Sequence, residues 1–188
     1  FEIDFVTRQW NSGELINSSE QNDSLKRSDL PTVTTEKTVS VEECDPITGD
    51  GLGTHQHFNL SHYRLDAQQY SLPKNAVAFC AKSSPVKDVT SQYFRTRAEQ
   101  NNPAAGFYHF VLIESDYLDI RVNEQRDDFE GIPEEIPSGD LFSEEKISYA
   151  AIHEAIDPII VEMVAPSDWN RVAVLQEAVD QFGISEAM

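Results

Sequence analysis

Between Gly106 and Val122 two kinds of apolar pattern meet. From Phe107 to Ile113 nearly every residue is apolar or aromatic. So short a run is below the usual length of a helix and suits a strand buried on both faces. Glu114, Ser115 and Asp116 interrupt it. Leu118, Ile120 and Val122 then alternate with Tyr117, Asp119 and Arg121, the period of a half-buried strand. Together the two runs predict a hairpin over 106–123 at the centre of a sheet.

The rest of the pattern supplies partners for it. Phe1, Ile3 and Phe5 alternate with polar neighbours and predict a first strand. Residues 11–31 turn polar, with Leu15, Ile16, Leu25 and Leu30 alone able to pack; this predicts a mobile arm or linker, because long structureless loops are uncommon inside a compact domain. Thr32 to Glu43 is rich in Thr and Val and predicts a long strand with Val39 and Val41 inward. Ala76 to Ala81 predicts another buried strand. Ser84 as a cap, Pro85 at the first helical position and the stripe Val86, Val89, Tyr93, Phe94 predict a helix over 84–101. A second helix is expected over 143–156, with Phe142 stapled onto Ile147 and Pro158 stopping it, followed by a strand from Ile159 to Val164. The stripe Val172, Leu175, Val179, Phe182 predicts a third helix over 167–182, closed by Gly183. Strands come first and then mix with helices without regular βαβ alternation. The fold class expected is α+β, a mainly antiparallel sheet with about three helices, in a single domain of 1–188.

Charge changes the picture of what such a domain meets. The chain of 188 residues carries 33 acidic and 14 basic residues, a net of −19. The excess is uneven: residues 1–110 hold 14 acidic and 10 basic groups, residues 111–188 hold 19 and 4. A field of that sign repels phosphate backbones and anionic membrane surfaces, so direct nucleic-acid binding is disfavoured. No apolar run approaches the ~18 residues of a membrane span. The expected partner is a protein with a basic surface, or a larger assembly. The loop from Asn123 to Ser143 concentrates the charge, and Asp127, Asp128, Glu130, Glu134 and Glu135 are its candidate partner-binding residues, with Pro133 and Pro137 stiffening the chain around the last two. A solubilising acidic surface is the bland alternative. The chain begins at Phe1, which implies processing or a fragment; no signal peptide is visible, and the compartment stays open. Two cysteines, Cys44 and Cys80, leave open one bridge or two thiols.

Candidate chemistry is sparse. Asp45 to Gly53 has two aspartates but lacks the alternating oxygen ligands and distal Glu of an EF-hand, so a tight glycine turn is expected. His55, His57 and His62 fall within eight residues. On a strand His55 and His57 share a face and can offer two imidazoles to one divalent metal, with His109 or Asp66 as the third ligand, while His62 points away. The H-x-H pair resembles part of cupin and JAMM metal sites, yet the cupin acidic ligand and the JAMM Ser-x-x-Asp are absent at their spacings. The competing reading is a pair of hydrogen-bonding strand histidines. His153-Glu154-Ala155-Ile156-Asp157 lacks the second histidine of H-E-x-x-H, which argues against a protease. There is no P-loop, no G-x-G-x-x-G and no G-x-S-x-G. The reading that results is a non-enzymatic interaction or assembly protein, a subunit of a larger particle or an acidic inhibitor of the DNA-mimic kind, with no cofactor. The alternative is a metal-dependent enzyme built on His55 and His57.

Overall fold

The computed structural model of the chain describes residues 30–68, 74–103, 106–136 and 145–165, together with four short strands near the start. Two compact units emerge, 1–32 and 33–188. In the first, β1 (Glu2–Val6) pairs antiparallel with β4 (Asn22–Lys26), and β2 (Gln9–Asn11) with β3 (Glu14–Ile16). The pairings nest, with Ile3 opposite Leu25 and Trp10 opposite Leu15. The polar stretch 11–31 thus contributes β3 and β4, and its residues 12–13, 17–21 and 27–29 lie outside the described residues.

The second unit is built on a five-stranded sheet. Its strands are β5 (Thr35–Cys44), β6 (Gly51–Asp66), β7 (Ala76–Ala81), β8 (Ser84–Asp88) and β9 (Phe107–Glu114), in the spatial order β5-β6-β9-β7-β8. The apolar run 107–113 is indeed the middle strand. The sheet is mixed: β7 and β9 run parallel and the other neighbours antiparallel. Leu60 faces Ile113, and Ile113 faces Phe79, so one sheet face is continuous from Phe58 to Val77. Helix α4 (Tyr149–Val164) covers that face with Ile152, Ile156, Ile160 and Met163. Phe58, Leu60, Phe79, Ile113 and the three isoleucines are essentially solvent-free, each contributing on the order of 1.5–3 kcal/mol through burial.

Several expectations are corrected. The hairpin over 106–123 does not form. Ser115 accepts a hydrogen bond from the Tyr117 N–H and caps a single helical turn, α3 (Asp116–Asp119). Tyr117 and Leu118, adjacent in sequence, are both buried, while Ile120 is 79% exposed, the reverse of the alternation. A local cap therefore outcompetes the period-2 pattern. The helix over 84–101 is instead the edge strand β8 followed by two short helices, α1 (Thr90–Tyr93) and α2 (Arg97–Asn101). Lys82 and Ser83 both have positive φ, 49° and 59°, the signature of a tight hairpin turn that folds β8 back onto β7. Pro85 is accommodated because an edge strand needs only one side of its ladder.

The helix assigned to 143–156 begins later, at Tyr149 with Ser148 as its cap, and passes through Pro158 to Val164; the strand at 159–164 is absent. Residues 137–144, including the Phe142 staple, lie outside the described residues, as does the helix over 167–182. Pro158 removes the hydrogen bond to the Glu154 carbonyl, and both residues are exposed. The buried stripe on the opposite side holds the helix together against a proline cost of about 3 kcal/mol.

Candidate functional site

The acidic loop is ordered by its own side chains. Asn123 Oδ1 accepts the Asp127 and Asp128 N–H groups at 3.1 and 3.4 Å, and its Nδ2 donates to Asp127 Oδ1 at 2.7 Å. A bridge between Val122 and Phe129 closes the turn, and Phe129 anchors it in the core. Arg126, at φ 58°, donates to the Ala81 carbonyl at 2.8 Å and ties the turn to the end of β7. Beyond it, the Pro133 and Glu134 carbonyls accept the Tyr149 and Ala150 N–H groups, satisfying donors that a helix start leaves free.

This backbone leaves the candidate carboxylates facing solvent. Asp127, Asp128, Glu130, Glu134 and Glu135 are all exposed. Among the described residues Asp128 alone of these has an ion pair, to Lys87 Nζ at 3.0 Å. Its carboxyl is held below the usual range first by the Phe129 N–H and then by Lys87. The described cations of the acidic half are engaged within the fold. Arg121 stacks over the Tyr117 ring at 3.7 Å and lies 3.8 Å from Glu145. Arg126 holds Ala81, and Lys146 lies 3.7 Å from Glu43.

The histidines divide into two sets. His55 and His57 share an exposed face of β6, as their spacing implies. His57 Nδ1 is 2.9 Å from Ser40 Oγ on β5, so a cross-strand hydrogen bond uses it. The suggested third ligands lie elsewhere. Asp66 is nine residues further along the same strand, roughly 30 Å at strand rise, and His109 belongs to the buried face with Val111 and Ile113. Among the described residues no three His, Cys, Asp or Glu side chains converge as metal ligands.

The second set was not legible as a pair. His62 and His109, 0% and 3% exposed, meet with Nε2 and Nδ1 3.0 Å apart. Their planes differ by 8° with centroids 5.2 Å apart; with nitrogens in hydrogen-bond contact, the rings lie edge to edge in one plane rather than face to face. His62 Nδ1 is buried without a hydrogen-bond partner. Orphaned buried N–H groups are rarer than orphaned acceptors, which assigns the shared proton to His62 Nε2 and leaves Nδ1 a bare lone pair. Burial first, then His109 and Arg64, push the His62 imidazole down to about 4. On α4, His153 Nδ1 and the Tyr93 hydroxyl both reach Asp157 Oδ1, at 3.1 and 2.7 Å. This cluster ties α1 to α4, and burial followed by the Asp157 contact pushes the Tyr93 hydroxyl up.

Cys44 and Cys80 are both free thiols, and burial raises the latter to about 11. No helix among the described residues is long and apolar enough to cross a membrane. No family model, no curated protein and no solved structure matches the chain.

Proposed function

We propose that the protein is a non-enzymatic interaction module that presents the 123–135 acidic surface to a basic protein partner. One observation carries this reading: the loop backbone is pinned by Asn123, Arg126 and the start of α4, while Asp127, Glu130, Glu134 and Glu135 make no ion pair among the described residues. Like charges on a fixed frame repel one another and oppose folding. An ordered surface that retains them is pre-organised for a partner of opposite sign, which lowers the entropic cost of binding.

Rim charges of this kind steer encounter more than they hold the complex. Neutralising Glu130, Glu134 and Glu135 together to glutamine is expected to slow association with a basic protein partner isolated with the chain and to leave dissociation nearly unchanged. Association should also weaken from 0.1 M to 1 M salt, as the Debye length falls from about 10 to about 3 Å. Binding insensitive to both changes overturns the proposal and leaves the loop as a solvated surface.

A further inference from the structure

The two edges of the five-stranded sheet are built differently. β8 is five residues long, carries Pro85 and shifts register against β7 between Phe79 and Cys80, three devices that discourage a further strand. β5 lacks them along most of its length. It runs ten residues without proline or glycine and keeps one register against β6 from Thr35 to Glu42. Among the described residues no strand pairs with its outer side, and Glu36, Lys37, Thr38, Ser40 and Glu42 are exposed. At the far end the Cys44 N–H donates to the Lys146 carbonyl at 3.0 Å, so the open backbone is that of 35–43. A row of free N–H and C=O groups of that length is a template for another strand.

The side chains of β5 select the strand that fits. Lys37, Val39, Val41 and Glu43 share the core face, and Thr38, Ser40 and Glu42 share the other. We infer that β5 pairs antiparallel with β5 of a second copy of this chain about a two-fold axis at Ser40, joining two five-stranded sheets into one. In that register each residue meets one from its own face: Val39 lies opposite Val41, Thr38 opposite Glu42 and Lys37 opposite Glu43, every pair occurring twice. Lys37 makes no ion pair or hydrogen bond among the described residues. Glu43 accepts from Thr54 Oγ1 at 2.8 Å and Gln56 Nε2 at 2.7 Å, with Lys146 at 3.7 Å; a carboxylate has about four lone-pair sites, which leaves room for a second ammonium. Moving the axis to Val39 sets Glu36 against Glu42 and leaves Lys37 facing Val41, so charge favours the Ser40 register. A lysine on an edge strand ordinarily guards it against pairing. Here the carboxylate at the mirrored position makes it a register pin.

The whole purified chain is its own probe. Sedimentation equilibrium in reducing buffer is expected to show a monomer–dimer equilibrium, and Lys37→Glu, which sets two carboxylates against each other at both ends of the ladder, is expected to weaken it roughly tenfold. Register is read by cross-linking. Ser40→Cys puts a thiol on the axis, where directly opposite Cα atoms lie about 4.5–5.5 Å apart, within disulfide reach; mild oxidation is expected to join position 40 of one copy to position 40 of the other. Thr38→Cys is the control, because its two copies are offset by four positions, roughly 14 Å along the strand, and should stay unlinked. Oxidised wild type reports any link through Cys44 or Cys80. A chain that sediments as a monomer at every concentration, Thr38→Cys linking as readily as Ser40→Cys, or an unchanged dimer in Lys37→Glu would each overturn the inference. So would Lys37→Ala associating more tightly than wild type, since that lysine would then be a guard.

Discussion

Acid should weaken this fold first through one side chain, His62. Its ring lies in the dry face of the sheet, fully buried, with Nδ1 unpartnered and Nε2 bonded to His109. Protonating it places a cation beside His109 and Arg64, and the imidazole is accordingly pushed from 6.5 down to about 4. The unfolded chain binds this proton at the ordinary value, so between those two pH values it holds more protons than the folded chain. The stabilising contribution is therefore complete above about pH 6.5 and is lost progressively as pH falls toward 4. A gap of about 2.5 pH units corresponds to roughly 3 kcal/mol at 1.36 kcal/mol per unit. Urea unfolding midpoints at pH 7, 6, 5 and 4.5 measure it, with His62→Gln as the non-titrating control and the histidine ring signals followed by NMR. Glu43 and Asp128, held below the ordinary carboxylate range by their partners, also lose stability on acidification, but at lower pH and in wild type and variant alike. A loss of stability confined to the wild type is thus specific. A His62 ring that titrates near 6.5, or parallel pH profiles for wild type and variant, would refute the argument.

Other consequences of the structure are open to direct measurement. Ile156→Ala empties a fully buried site between α4 and the sheet and should cost about 2–5 kcal/mol in chemical denaturation; a cost below 1 kcal/mol would show that the helix does not pack as described. Pro158→Ala restores the missing helix hydrogen bond at an exposed position and should raise stability by about 1–3 kcal/mol, a prediction lost if the melting temperature falls. Saturating zinc should leave the melting temperature unchanged, since His57 bonds Ser40 and no third ligand converges among the described residues. A rise with zinc that His57→Ala abolishes would establish the metal site instead, because a ligand of the native state must stabilise it.

The fold was legible where burial alone decides conformation. The runs at 76–81 and 107–113 are apolar or nearly so with no competing local signal, and they form inner strands of the sheet. Legibility failed where a short polar motif competes with a weak period. Ser115 caps a helical turn that breaks an otherwise regular alternation, and its preference is worth about 1 kcal/mol, enough when half the alternation is polar. Ser84-Pro85 resembled a helix start because the same residues serve an edge strand behind a tight turn. The turn itself was hidden, since Lys82 and Ser83 are not the residues that positive φ ordinarily selects. At Pro158 the error ran the other way: the local rule was right about the lost bond, and five buried residues of one helix face outweighed it.

The candidate site divides along the same physical line. Exposure of Asp127, Glu130, Glu134 and Glu135 followed from composition, because loops of that charge cannot be buried unpaired. What composition could not reveal is the fate of the scarce cations. Arg121, Arg126 and Lys146 are separated from their partners Tyr117, Ala81 and Glu43 by between 4 and 103 positions, and only the fold brings the distant ones together. Their engagement matters more than their number. A cation held against a ring, a carbonyl or an internal carboxylate is less able to fold over a neighbouring surface carboxylate, and Glu130, Glu134 and Glu135 have no ion pair among the described residues. His62 and His109 lie 47 positions apart and obey the same logic: each has an ordinary place in its own strand, and their shared proton exists only because β6 and β9 are neighbours.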